Sequence, residues 1–351
     1  MNKKWNKILS LLLALALLGA CTPKLPEPTP APTPSPVPSP SATPAPSDFS
    51  HTRVAMLKGP TGLGAAKLME DSAGGEDPVY PYSFETYADP TQAVAALTKG
   101  EVDIAALPTN LASTLYHKLD GGIQLLALNT YGVLYILERG DSIHTMADLR
   151  GKTIHAYGQG ANPEFVLNYL LEQNGLDPKA DVDIRWYGTT DEVTALMAEG
   201  EEGSVCMLPV PAATGLLMKK DGFRAVLDLT EVWRNSGASG VLTMGCLVAR
   251  TAFIEEYPQE VETFLEQYEA SISYMSDPGN LTDAAALAEK WEIVPKAAVA
   301  QQAIPDANLC FVTGVDMLEG IQGYYQVLFR ADPKSIGGSI PDSAFYYGLS
   351  G

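Results

Sequence analysis

Residues 58–62 read Lys-Gly-Pro-Thr-Gly and follow the apolar run "VAML". A strand that stops at such a turn leaves backbone N–H groups free where the next helix starts. Those groups, at the positive end of the helix dipole, hold anions and polar atoms. A Walker loop is excluded, because Gly64 is followed by Ala65 and Ala66 in place of Lys and Ser/Thr. A dinucleotide fingerprint is excluded as well, since Lys67 stands where the third glycine belongs. What remains is a binding turn. Lys58 would supply a cation, Gly59 and Pro60 the turn, and Thr61 a hydroxyl. Gly62 and Leu63 would supply exposed N–H donors. The same residues also suit a plain Pro-Gly turn with Thr61 as helix cap and Lys58 on the surface.

Three further loops have binding chemistry. After "VDIAAL", Thr109 or Asn110 caps the next helix or turns its side chain inward. In "YGQGAN", Gly158 and Gly160 let backbone approach a ligand, and Tyr157 offers a ring. Gln159 there is both donor and acceptor, and Asn162 is the expected cap of the helix that follows. In "MLPVP", Pro209 and Val210 would form a rigid apolar wall. Asn129, Tyr131 and Met244 sit where the chain is expected to cross between two halves, as hinge or site residues.

Nothing in these loops reads as catalytic. His155 lies inside the strand-like "KTIHAY", no G-x-S-x-G elbow occurs, and no histidine or cysteine spacing suits zinc. No cofactor and no metal are therefore expected. Cys206, Cys246 and Cys310 lie in apolar runs that suit buried thiols, with one disulfide among them left open.

The loops need elements to hold them. From residue 53 strand, loop and helix alternate, which argues for parallel or mixed sheets covered by helices. "DPTQAVAALTKG" carries Asp89 as cap, Pro90 in the first turn and Gly100 past the end. The alternation restarts near residue 147, and after "GVLTMGCLVAR" the pattern is almost entirely helical. Two α/β lobes are expected, one from 51–130 and 246–351, the other from 131–245. Two strands would cross between them. Ligands of such sheets sit beyond the carboxyl ends of strands, where the four loops lie.

Residues 1–20 have a basic start and a short apolar core, as a secretory signal does. Leu18-Gly19-Ala20-Cys21 resembles a bacterial lipobox, which implies lipidation at Cys21 and anchoring by acyl chains. Residues 21–50 are then a proline-rich linker, semi-rigid and up to ~80 Å long. The net charge of −19 excludes nucleic acid as a partner and leaves anchoring to the lipid alone.

"LKGPTG", "LTKGEVDIAALPTN", "MADLRGKTIHAYG" and "YPQEVETFLEQYEASISYM" stand in this order. As a set they resemble the solute-binding lipoproteins of bacterial ABC importers. The nearest group is similar to those for nitrate, sulfonates, taurine and the thiamine pyrimidine precursor. The resemblance implies a type II periplasmic-binding-protein-like fold, with two lobes, two hinge crossings and a ligand in the cleft. It implies a monomeric receptor on the extracytoplasmic face of the cell membrane, with no enzymatic activity. Its partners would be a small polar, heteroaromatic or anionic solute and a permease with a cytoplasmic ATPase. A pyrimidine-synthase-like enzyme and a ligand-sensing lipoprotein without transport are the alternatives that the same fold allows.

Overall fold

The computed structural model describes residues 51–73 and 81–349. The signal sequence, Cys21 and the proline-rich linker lie outside the described residues. The first stretch gives β1 (Thr52–Leu57), α1 (Pro60–Leu63), α2 (Ala66–Ala73), β2 (Tyr82–Tyr87), α3 (Pro90–Lys99), β3 (Ile104–Pro108), α4 (Thr109–Lys118) and β4 (Ile123–Tyr131). The next gives β5 (Leu134–Arg139), β6 (Thr153–Tyr157), α5 (Asn162–Gln173), β7 (Asp183–Tyr187), α6 (Thr190–Ala198), β8 (Val205–Pro209), α7 (Ala212–Lys219), β9 (Phe223–Asp228) and α8 (Leu229–Asn235). The last gives β10 (Thr243–Arg250), α9 (Thr251–Glu256), α10 (Pro258–Ser276), α11 (Leu281–Lys290), α12 (Ala297–Ala303), β11 (Leu309–Val312) and α13 (Gly314–Ala331).

Two sheets result. A six-stranded sheet runs β11-β4-β10-β3-β1-β2, and a five-stranded one runs β7-β6-β8-β5-β9. The first pairs β1 in parallel with β2 and β3, while β10 lies antiparallel to β3 and β4. The second pairs β6 in parallel with β7 and β8, while β5 lies antiparallel to β8 and β9. Both are thus mixed, and the chain passes between them twice, after β4 and before β10.

Local signals work as their chemistry requires at α3. Asp89 accepts the Thr91 amide, and Gly100 ends the helix in the left-handed region. Gly64 and Ala65 separate α1 from α2, so the segment after the binding turn is two helices. β9 and α8 fill residues 223–235, a stretch without an expected element. β11 interrupts the helical finish, leaving a sixth strand on the first sheet. One apolar cluster runs from Leu125 and Leu128 through Val133 and Leu134 to Leu170 and Trp233, so residues of both sheets share it. A second cluster packs Leu63, Phe264 and Tyr268 with the first sheet.

Candidate functional site

The binding turn folds inward. Gly59 takes φ +93°, where glycine is favoured, and its N–H donates to the Ile293 carbonyl at 2.9 Å. Gly62 donates to the Gly59 carbonyl at 3.2 Å, and Thr61, Gly62 and Leu63 are buried. The expected exposed donors at Gly62 and Leu63 are thus absent. Gly62 is there for another reason: a Cβ on it would stand 1.9 Å from the Leu57 carbonyl oxygen. Thr61 lies within α1, whose cap position belongs to Gly59. Pro60 is half-buried at the start of α1. Lys58 is exposed and pairs with Glu292 at 3.0 Å. Exposed pairs of this kind contribute at most about 1 kcal/mol.

Around Thr61 a polar cluster is buried. The Asn129 amide donates to the Thr61 carbonyl at 3.1 Å and to the Tyr268 hydroxyl at 3.0 Å. The Thr130 hydroxyl donates to Asn129 Oδ1 at 3.1 Å. Gly245 of β10 makes room for this cluster, since its Cβ would come within 2.6 Å of Asn129 Oδ1 and 2.8 Å of Thr61 Cγ2. The register of β10 against β4 shifts at Gly245. Gly245→Ala is therefore expected to destabilise by about 1–3 kcal/mol through overpacking. Elsewhere such a change commonly stabilises by limiting the unfolded chain. A thermal melt decides, and a raised Tm rejects the close approach.

A second cluster adjoins through Met244. Neither Thr109 nor Asn110 caps α4, whose cap is Pro108 without a side-chain bond. The Thr109 hydroxyl donates instead to the Thr243 carbonyl at 2.9 Å. Asn110 turns towards the chain's end, its amide reaching the Ser335 carbonyl at 3.4 Å and its Oδ1 unpartnered. Asn162 is not a cap either, because Ala161 holds that position. Its amide donates to Thr109 Oγ1 and to the Met244 carbonyl, each at 3.3 Å, and its Oδ1 accepts from the Tyr324 hydroxyl at 2.6 Å.

The remaining predicted residues surround this seam unevenly. Val210 is buried among apolar residues of the first sheet's second cluster, although β8, which it follows, belongs to the other sheet. Pro209 is buried at the end of β8. Tyr157 is half-buried, and Gly158 takes φ +84° with the Pro163 ring close by. Gln159 and Gly160 are exposed, and the Gly160 amide is held by Glu164 at 2.6 Å. Tyr131 is half-buried; burial, then Cys310 and Asp316, push its hydroxyl pKa up. The structure thus joins Thr61, Asn129, Met244, Thr109 and Asn162 in one buried seam. It leaves Lys58, Gln159 and Gly160 at the surface and turns Asn110 away. Sequence reasoning missed Gly245, Tyr268 and Tyr324. A lone glycine inside a strand pattern was the available signal for the first.

Cys206 and Cys310 are free thiols pushed up to about 12 by burial, and Cys246 is raised as well, so all three stay protonated. The His155 ring meets the Tyr187 hydroxyl at 2.8 Å, with its pKa lowered by burial and by Arg185. Among the described residues, no group of three His, Cys, Asp or Glu side chains is placed to hold a metal ion. Two surface cavities, of about 280 and 410 Å³, lie elsewhere and are lined by none of the predicted residues.

Residues 78–231 match the family model described as ABC transporter, phosphonate, periplasmic substrate-binding protein. No curated protein sequence matches the chain. Among solved structures, an ABC transporter protein from Parabacteroides distasonis is 22% identical with a TM-score of 0.70, covering 84% of this chain and 98% of its own. The periplasmic aliphatic sulphonate binding protein SsuA of Escherichia coli is 16% identical with a TM-score of 0.67, covering 85% and 92%. A Candida albicans protein with the generic periplasmic binding protein structural fold is 14% identical with a TM-score of 0.55, covering 85% and 94%. At these identities the structural likeness carries the fold, which is the two-lobed one expected. Residues 78–231 are thus similar to the periplasmic substrate-binding proteins of ABC transporters, and the fold of the whole is that of the periplasmic binding proteins.

Proposed function

We propose that the chain is a lipoprotein receptor, anchored through Cys21 on the extracytoplasmic face of the membrane. It captures a small polar, heteroaromatic or anionic solute by hinge closure and delivers it to a permease with a cytoplasmic ATPase. It acts as a monomer and performs no chemistry on the solute. Residues 51–130 and 246–351 form one lobe and 131–245 the other, with the signal at 1–20 and the linker at 21–50. No helix among the described residues is long and apolar enough to cross a membrane.

The observation that carries this reading is the seam itself. Helix starts that follow strands of both sheets converge there, Thr61 and Thr109 from one and Asn162 from the other, beside the two crossings. Closure over a guest at such a seam is hinge motion of the ordinary kind. Tyr131, Tyr157 and the half-buried Tyr187 offer rings for a heteroaromatic solute. The proposed contacts include no arginine, and Lys58 is paired with Glu292, which favours a polar or heteroaromatic solute over an oxyanion. SsuA, by its name, binds aliphatic sulphonates.

Ligand binding to the folded state alone raises stability. A tenfold excess over Kd is expected to add about 1.4 kcal/mol. A thermal-shift panel of sulfonates, phosphonates, nitrate, pyrimidines and vitamins reads this directly. A panel that moves nothing rejects the receptor reading.

A further inference from the structure

Asn162 was expected to cap a helix or touch a ligand, and its amide is instead fully engaged by protein. Both donor contacts and the acceptor contact are made, to Thr109, Met244 and Tyr324. Its residue is 1% exposed, and Thr109 and Tyr324 are 0% exposed. The three partners come from three places: the first residue of α4, the start of the returning strand β10, and helix α13. Asn162 itself opens α5, which follows a strand of the other sheet. One side chain thus ties the five-stranded half to the six-stranded half and to a crossing.

The directions of the bonds are consistent. Tyr324 donates to Asn162, Asn162 donates to Thr109 Oγ1, and Thr109 spends its own proton on the Thr243 carbonyl. Tyr324 also has its ring 5.7 Å from that of Trp233 in α8, so α13 holds the second half at two points. Separating the halves would strip Asn162, Thr109 and Tyr324 of these partners at once.

We infer that Asn162 is a closure latch, a positioning residue that sets the balance between closed and open halves without touching the solute. This rests on the receptor reading above for its purpose, and on the seam alone for its geometry. The latch is neutral, so it is insensitive to salt, unlike an ion pair. Its net strength in an interior is that of one or two hydrogen bonds, enough to move the closed-to-open ratio roughly tenfold.

Hydrogen–deuterium exchange on the full chain, without ligand, tests it. In Asn162→Ala the amides of 157–162 and those of Val210 and Ala212 are expected to exchange roughly tenfold faster, with β1 and β6 interiors unchanged. Tyr324→Phe removes one hydroxyl, keeps the ring, and should show a smaller effect at the same amides. It decides alone if the alanine variant does not fold. Uniform acceleration, or none, in the folded variants overturns the latch. So does loss of all binding by a panel ligand in Asn162→Ala at wild-type seam exchange, which would make Asn162 a contact. Because exchange is read without ligand, a panel that finds no solute rejects the receptor reading and leaves the latch result standing.

Discussion

Gly323→Ala is expected to cost at least about 3 kcal/mol and to lower Tm by roughly 5 °C or more. Helix α13 lies backbone to backbone on the chain that returns to β10. A Cβ at Gly323 would stand 2.0 Å from the Ser239 carbonyl oxygen and 2.6 Å from the Gly240 nitrogen. Gly240 itself takes φ +77°, and a Cβ there would meet the Gly320 oxygen at 2.6 Å. The Val241 N–H donates to that Gly320 carbonyl at 3.0 Å, so the two backbones are bonded as well as packed. Neither side can yield as a side chain would. A control lies one turn away in the same helix. At Gly320 a Cβ would meet only Leu128 Cδ1, at 3.8 Å. Gly320→Ala should therefore be neutral or stabilise by up to about 1 kcal/mol through helix propensity. Equal melting curves for the two variants would reject the close approach. A large drop at Gly323 alone would also place the crossing under α13's control, because the displaced segment is that crossing.

That contact shows where the sequence was legible and where it stopped. Alternating strand and helix patterns, with Asp89 and Gly100 bounding α3, follow from local chemistry and can be read residue by residue. The two crossings are visible for the same reason, as strand patterns flanking a break. β9 escaped because its outward positions are exposed and its run is six residues, so alternation is weak. β11 escaped because four residues cannot establish a period. At the site, residue type predicted polarity but not partner. Thr109, Asn110 and Asn162 look like caps because caps use these residues. In the fold their side chains reach groups 53 to 225 positions away, which no local rule encodes. The glycines show the same limit. Gly62 reads as a donor in a turn, and Gly245 and Gly323 carry no local signal of their role, yet each marks a place where another chain segment comes too near for a Cβ.

Asp103→Ala is expected to cost about 2–3 kcal/mol at pH 7 while leaving ligand-induced stabilisation intact. The carboxylate is 4% exposed and accepts from the Arg53 backbone at 3.0 Å, from Arg53 Nε and Nη2 at 2.9 and 2.7 Å, and from Arg250. It thus stitches β1, the lead into β3 and the far end of β10. The seam lies at the opposite end of these strands, by Leu57, Pro108 and Thr243. Removing one partner of a fully buried pair costs more. Here Arg53 and Arg250 are 41% and 28% exposed in their side chains and can turn to water, which lowers the figure. Burial alone would raise the Asp103 pKa, but hydrogen bonds from Arg53 and Arg250 outweigh it and hold the carboxyl below its ordinary value. A depressed carboxyl stabilises the fold above the unfolded pKa of about 4, and the gain is lost as pH falls through the folded value. The stability gap between wild type and Asp103→Asn should therefore be largest near neutrality and shrink below about pH 4. Glu138 is depressed too: burial raises it, and the Ser142 hydroxyl with the Ser142 and Ile143 amides outweighs that. Its acid-labile contribution is common to both proteins and cancels in the difference. Denaturant melts at pH 7 and pH 3 measure the gap, and one that is constant with pH rejects the charge-assisted account of this end of the sheet.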